Sequence, residues 1–177
     1  MLFWKKMAAC AALFGLLLSA SCKKDDTGPA FDMRYQHDFT IPAGIGPLVA
    51  HHFYIKDIPT RYQQLLTQNG RQDADVVKII PSAGSLDGIF GDADFSIVEK
   101  ASLRVYEGSD PTDYVEIGYR EPVPFNVGNS LGLIPTLSDA QRVMKGSRFS
   151  IDLVIWLRGT TQQETDTRLT LNLKAQY

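Results

Sequence analysis

Between Phe31 and Ile41 the stretch FDMRYQHDFTI changes polarity at almost every step, with Phe31, Met33, Tyr35, Phe39 and Ile41 separated by Asp32, Arg34, Gln36, Asp38 and Thr40. Successive side chains of a strand point to opposite faces, so this spacing gives one apolar and one wet face. The same period returns near the other end of the sequence, where Leu169, Leu171, Leu173 and Ala175 alternate with Thr170, Asn172 and Lys174. Half-wet strands must bury their apolar faces against a second layer, which points to antiparallel sheets packed face to face.

The intervening sequence reads as further short strands with turns between them. PAGIGP breaks the first run, LVAHHFYI is the next strand, and DVVKIIP, DFSIV, ASLRVY and DYVEIGY follow. SAGSLDGIFGD and EGSDPTD have turn composition. SRFSIDLVIWLRG and DTRLTLNLKAQY read as a closing hairpin around TTQQET, with Leu153, Ile155, Leu171 and Leu173 facing inward. Two interruptions have helical spacing. In DIPTRYQQLLTQNG, Ile58, Tyr62, Leu65 and Leu66 share a face, Thr60 or Asp57 caps the start and Asn69-Gly70 closes the end. In TLSDAQRVMKG, Ser138 is the cap and Gly146 the stop. These elements predict an all-β, mainly antiparallel fold, a β-sandwich of which the jelly roll is one form, with one or two short helices. An eight-stranded outer-membrane barrel also fits the length, but barrel strands come at more regular spacing and without intervening helices.

The first 27 residues are of another kind. Lys5 and Lys6, the apolar stretch from Met7 to Leu18, and the small residues Ser19, Ala20 and Ser21 make up a secretory signal peptide. The apolar stretch is shorter than the roughly 20 residues that span a bilayer. LSASC resembles the lipobox of bacterial lipoproteins, with Cys22 as acyl acceptor, although the third residue before the cysteine is Ser19 where leucine is usual. CKKDDT is similar to the surface-export signal of Bacteroidota lipoproteins, carried here by Cys22, Lys24, Asp25 and Asp26. The resemblance implies cleavage after residue 21, acyl chains on Cys22 and attachment to the outer membrane facing the cell exterior. Each buried methylene contributes about 0.8 kcal/mol, so two or three chains hold a protein stably where one is marginal. The expected organisation is a signal peptide over 1–21, a lipid-anchored polar tether over 22–30 and one β-sandwich domain over 31–177.

Loss of the leader removes Cys10, and lipid would occupy Cys22, so the mature chain forms no internal disulfide and has no thiol for catalysis or metal binding. Removing Lys5 and Lys6 from 18 basic residues leaves 16 against 20 acidic ones, a net charge of −4. That balance gives no footprint for nucleic acid.

Chemistry-bearing residues are sparse. His51 and His52 are strand neighbours and point to opposite faces, while His37 lies on the apolar side of the first strand as a core-margin histidine. Asp87, Asp92 and Asp94 crowd the glycine-rich stretch LDGIFGDADFS, a composition that suits calcium, yet the spacing is not that of an EF-hand and a turn needs the same residues. No cofactor is expected, with calcium as the one candidate. Asp94, Glu99, Glu116 and Glu121 offer carboxylates for a glycosidase pair, although so acidic a domain provides such pairs by chance. No nucleophile elbow or phosphate loop is present. Tyr106, Tyr114, Tyr119 and Trp156 are candidates for a glycan-stacking platform, but alternation sets Tyr114 and Tyr119 on opposite faces and Val154 shares the Trp156 side, so burial of that tryptophan is expected. The sequence therefore points to a non-catalytic accessory or interaction subunit of an outer-membrane or cell-surface assembly, bound to the membrane through Cys22 and to another envelope protein. A glycan- or ligand-binding module for nutrient uptake is the alternative, and a carboxylate-dependent hydrolase a lesser one.

Overall fold

The computed structural model describes residues 29–91 and 93–177. Eight strands follow in chain order: β1 (Pro29–Ile41), β2 (His51–Pro59), β3 (Lys78–Gly88), β4 (Val98–Tyr106), β5 (Tyr114–Arg120), β6 (Ser130–Pro135), β7 (Arg148–Leu157) and β8 (Thr165–Gln176). Two short helices, α1 (Tyr62–Gln68) and α2 (Gln141–Met144), precede β3 and β7 respectively. All pairings are antiparallel.

The strands hydrogen-bond in the order β1-β8-β3-β6-β5-β4-β7-β2. The β5–β6 junction is thin, with only Gly118↔Pro135 and Tyr119↔Ile134 in register, so the sheet folds over there. Layer 1-8-3-6 thereby faces layer 2-7-4-5, the strand order of a jelly roll. Ring contacts cross between the layers, Tyr35 of β1 on Phe149 of β7 at 4.9 Å and Phe39 of β1 on Phe53 of β2 at 5.2 Å. The second closes the open seam between the two edge strands. Leu153, Ile155, Leu171 and Leu173 are all buried in the core between the layers, as their alternation predicts. Charged residues stand on the outer faces, the reverse of a membrane-spanning barrel.

Several local expectations are corrected. The closing strands are not a hairpin: β7 pairs with β2 and β4, β8 with β1 and β3, and the loop between them crosses from one layer to the other. Both are central strands, so each already has two partners. SAGSLDG is not a turn but the second half of β3, with a register shift at Ser82. A Cβ on Gly84 would meet Leu133 at 3.5 Å and Leu103 at 3.7 Å, ordinary contact distances, so the strand there faces the core and not a solvent turn. DFSIV is mainly a 3-10 turn over Phe95–Ile97, and β6 (SLGLIP) replaces it in the strand count. Leu48 and Val49 precede β2 rather than opening it, and Ile58 lies among the last paired residues of β2, opposite Phe149, rather than joining α1. Helix α1 starts after Arg61 at φ 56°, with the Tyr62 amide donating to Thr60 Oγ1 at 3.3 Å. Helix α2 is capped by Asp139, whose carboxylate accepts from the Gln141 amide at 2.9 Å, and not by Ser138.

Candidate functional site

The outer face of layer 2-7-4-5 carries most of the polar chemistry of the domain. Its rows follow from strand register: Tyr54 pairs with Asp152, Arg104 with Asp152 and with Glu116, and Ser102 with Val154 and Tyr119. Asp152 interrupts the apolar run IDLVIW and is only 2 % exposed although it points away from the core. A carboxylate so placed must be matched by donors. His52 Nδ1 lies 3.0 Å from Asp152 Oδ1, and Arg104 Nη1 lies 3.8 Å from Oδ2. Because an ionised carboxylate only accepts, the His52 proton sits on Nδ1. The network continues through Arg104 Nε, which donates to Ser102 Oγ at 3.0 Å, and Ser102 Oγ, which donates to Glu116 Oε1 at 2.5 Å. Tyr54 stacks on His52 with centroids 5.7 Å apart.

All four candidate aromatics lie on this face. Ile117 is an extra residue in β5, because Leu103 pairs with Gly118 while Arg104 pairs with Glu116. That bulge turns both Ile117 and Gly118 inward and puts Tyr114 and Tyr119 on the same side, which corrects the simple alternation. The rings still do not form an open platform. Tyr106 is buried, which pushes its phenol pKa up. The Arg104 guanidinium covers Tyr114 at 4.3 Å and Lys100 covers Trp156 at 5.0 Å. Trp156 is half-buried while its neighbour Val154 is fully buried.

The remaining candidates are dispersed. His51 Nε2 bonds the Gly46 carbonyl at 2.7 Å, on the opposite side of β2 from His52. His37 is half-buried, and loss of hydration lowers its pKa. Asp87 accepts from Ser85 at 2.6 Å and Ser130 at 2.5 Å. Asp94 caps the 3-10 turn by accepting from the Ser96 amide at 2.9 Å, and the Ser96 hydroxyl, with that amide, lowers its pKa. Among the described residues no three metal-ligating side chains are grouped, and Asp92 lies outside those residues, as do Cys22, Lys24, Asp25 and Asp26. Glu121 pairs with Lys100 at 2.7 Å, so Glu116 and Glu121 belong to separate ion and hydrogen-bond systems. Sequence reading missed the Asp152–His52 contact, for which a lone aspartate in an apolar strand is the signal.

No family model matches the sequence, and no curated protein matches it.

Proposed function

We propose that this chain is a lipid-anchored protein of the outer membrane, facing the cell exterior, that acts by binding rather than by catalysis, as an accessory subunit of a larger outer-membrane or cell-surface assembly. The observation that carries the reading is the exposure of large apolar side chains on its loops, with Leu48 95 %, Phe90 75 % and Phe125 81 % exposed. Apolar groups held in water favour a partner that covers them. The Cys22 lipobox and the Lys24–Asp26 export signal support the location. The polar network on the outer sheet face is spent on itself: Asp152, Arg104, Ser102 and Glu116 bond one another, and no nucleophile is placed against His52 among the described contacts. Cations over Tyr114 and Trp156 weigh against sugar stacking there.

The test is recovery of the native lipoprotein from solubilised membranes. A stoichiometric envelope protein supports the accessory reading, whereas a bound glycan without protein supports the uptake-module alternative. The purified chain should show no turnover on glycoside, ester or peptide panels. Turnover lost in Asp92→Asn or Asp94→Asn with the fold intact would establish the hydrolase instead.

A further inference from the structure

We infer that the end of the sandwich opposite Pro29 is a preformed docking surface for a protein partner that presents an apolar recess edged with lysine or arginine. The inference rests on the anchored, partner-binding reading above and names the surface that does the binding.

Jelly-roll connectivity sends four loops across this one end. Residues 42–50 join β1 to β2, 158–164 join β7 to β8, 89–97 join β3 to β4 and 121–129 join β5 to β6. They lie side by side in that order because their strands do. With strands about 4.8 Å apart, the outermost two are only about 15 Å from each other. Leu48, Val49, Phe90 and Phe125 all stand on these loops, between 62 % and 95 % exposed.

The loops are bound to one another. Thr161 exchanges backbone bonds with Gly44 and Ile45 at 2.9 Å, and its hydroxyl donates to the Pro42 carbonyl at 2.8 Å. Arg158 donates Nη1 to the carbonyls of Ser96 and Val98, both at 2.5 Å, and Nη2 to that of Val123. Asn129 accepts from the Ala93 amide at 3.1 Å and donates to the Gly88 carbonyl at 3.2 Å. A surface fixed in advance loses little entropy when a partner seats on it. Such ties hold the apolar groups out, where a floppy loop would fold them down.

Orientation and charge select the occupant. β1 starts at Pro29 beside Gln176 and ends at Ile41 beside Thr165, a run of 13 residues or about 40 Å. Cys22 stands seven residues before Pro29, so the patch points away from the anchor. Among the described residues of the four loops Arg158 is the one cation, against Asp94, Glu164 and Glu121, the last of which is paired with Lys100 of β4. Its guanidinium is turned onto backbone carbonyls and the Phe125 ring, 4.2 Å away. An acidic rim repels a second copy placed end to end and an anionic bilayer alike, since bilayer-binding surfaces use lysine and arginine. A protein with a basic rim matches it.

The test puts benzoylphenylalanine in place of Phe90 in the full chain, irradiates intact cells, and uses the same label at Tyr54 on the sheet face for comparison. Position 90 should yield one predominant protein adduct that position 54 does not. Adding Leu48→Asp and Phe125→Asp should reduce that adduct at least tenfold with the melting temperature unchanged, and Glu164→Lys should reduce it several-fold. An adduct to a second copy of the chain, an adduct to lipid, no adduct, or one that survives the aspartates would overturn the inference. If the unlabelled Leu48→Asp/Phe125→Asp chain still co-purifies with a stoichiometric partner, the loop surface is wrong and the partner-binding reading stands. If the wild-type chain recovers no partner, the partner-binding reading itself is wrong.

Discussion

His52 of β2 and Asp152 of β7, 100 positions apart in sequence, meet at 3.0 Å on the outside of the sandwich, with the carboxylate buried beneath His52 and Arg104. A charge at such a place is tolerated because two donors converge on it. Removing the charge leaves those donors facing each other.

Asp152→Asn should therefore lower stability by about 1.5–3 kcal/mol, the range for a hydrogen bond to a charged group. His52→Ala should matter less, since Arg104 stays beside the carboxylate and the exposed position readmits water. Chemical denaturation of both variants and the double variant gives the coupling. Equal effects from the two single variants would show that the carboxylate is not the hub.

Gly88 ends β3 where a Cβ would stand 2.2 Å from Asn129 Oδ1 and 2.4 Å from the Ala93 Cβ. Gly88→Ala must push Asn129 away and break its ties to Ala93 and Gly88. The expected loss is on the order of 1–3 kcal/mol, as for overpacking elsewhere. Hydrogen exchange should quicken over residues 89–97 and 125–129, with β1 and β8 unaffected. Unchanged exchange would mean that Asn129 does not hold these loops.

Stability should fall with acid in two stages. Burial lowers the His37 pKa, partly offset by Asp38, so the unfolded chain takes up that proton first. The stabilisation from a neutral His37 is complete above about pH 6.5 and is lost as pH falls through the lower folded value. The Arg168 hydrogen bond lowers the Asp38 pKa, Tyr62 lowers that of Asp73, Ser96 that of Asp94 and Thr112 that of Asp110. Their contribution is present above the unfolded range near 4 and is lost below it. Melting temperature should thus begin to decline as pH falls below about 6.5 and decline further below about 4, where the exposed carboxylates, screened by solvent, add only modestly, and His37→Gln should remove part of the first decline. A melting temperature that rises between pH 7 and pH 5 would contradict the sign.

Leu153 and Leu171 are completely buried between the layers. Each truncation to alanine should destabilise by about 2–5 kcal/mol, read by thermal or chemical unfolding. If neither changed stability, the inward face assigned to β7 and β8 would be wrong.

What was legible in the sequence is what depends on period. The inward sets of β1, β7 and β8 could be read directly, because alternation is a local property of half-buried strands. What depends on the partner strand could not. The bulge at Ile117 arises from pairing with β4; Gly118 in DYVEIGY is a residue that accompanies bulges, but which residue is the extra one depends on the partner strand. SAGSLDG has turn composition, yet it runs as strand because β8 and β6 pair with it on either side. Proximity along the chain suggested a hairpin for the last two strands, whereas each satisfies its backbone with other neighbours across the jelly roll. The Asp152–His52 contact has the same origin, since only the β2–β7 register joins residues so far apart.

Anchoring can be tested without reference to the fold. If Cys22 carries acyl chains, Cys22→Ser should leave the precursor uncut or release soluble protein, and metabolic labelling with fatty acid should vanish. The magnitude favours a clear result: at about 0.8 kcal/mol per buried methylene, loss of two or three chains removes far more than the few polar residues of the tether could supply. Alanine at Lys24, Asp25 and Asp26 tests a separate step. Those residues act after lipid attachment in the export reading, so labelling should persist while the chain becomes inaccessible to protease added to intact cells. Labelling that survives in Cys22→Ser would remove the anchor. Labelled protein equally cleaved on intact cells with and without the Lys24–Asp26 substitutions would keep the anchor and remove the export signal.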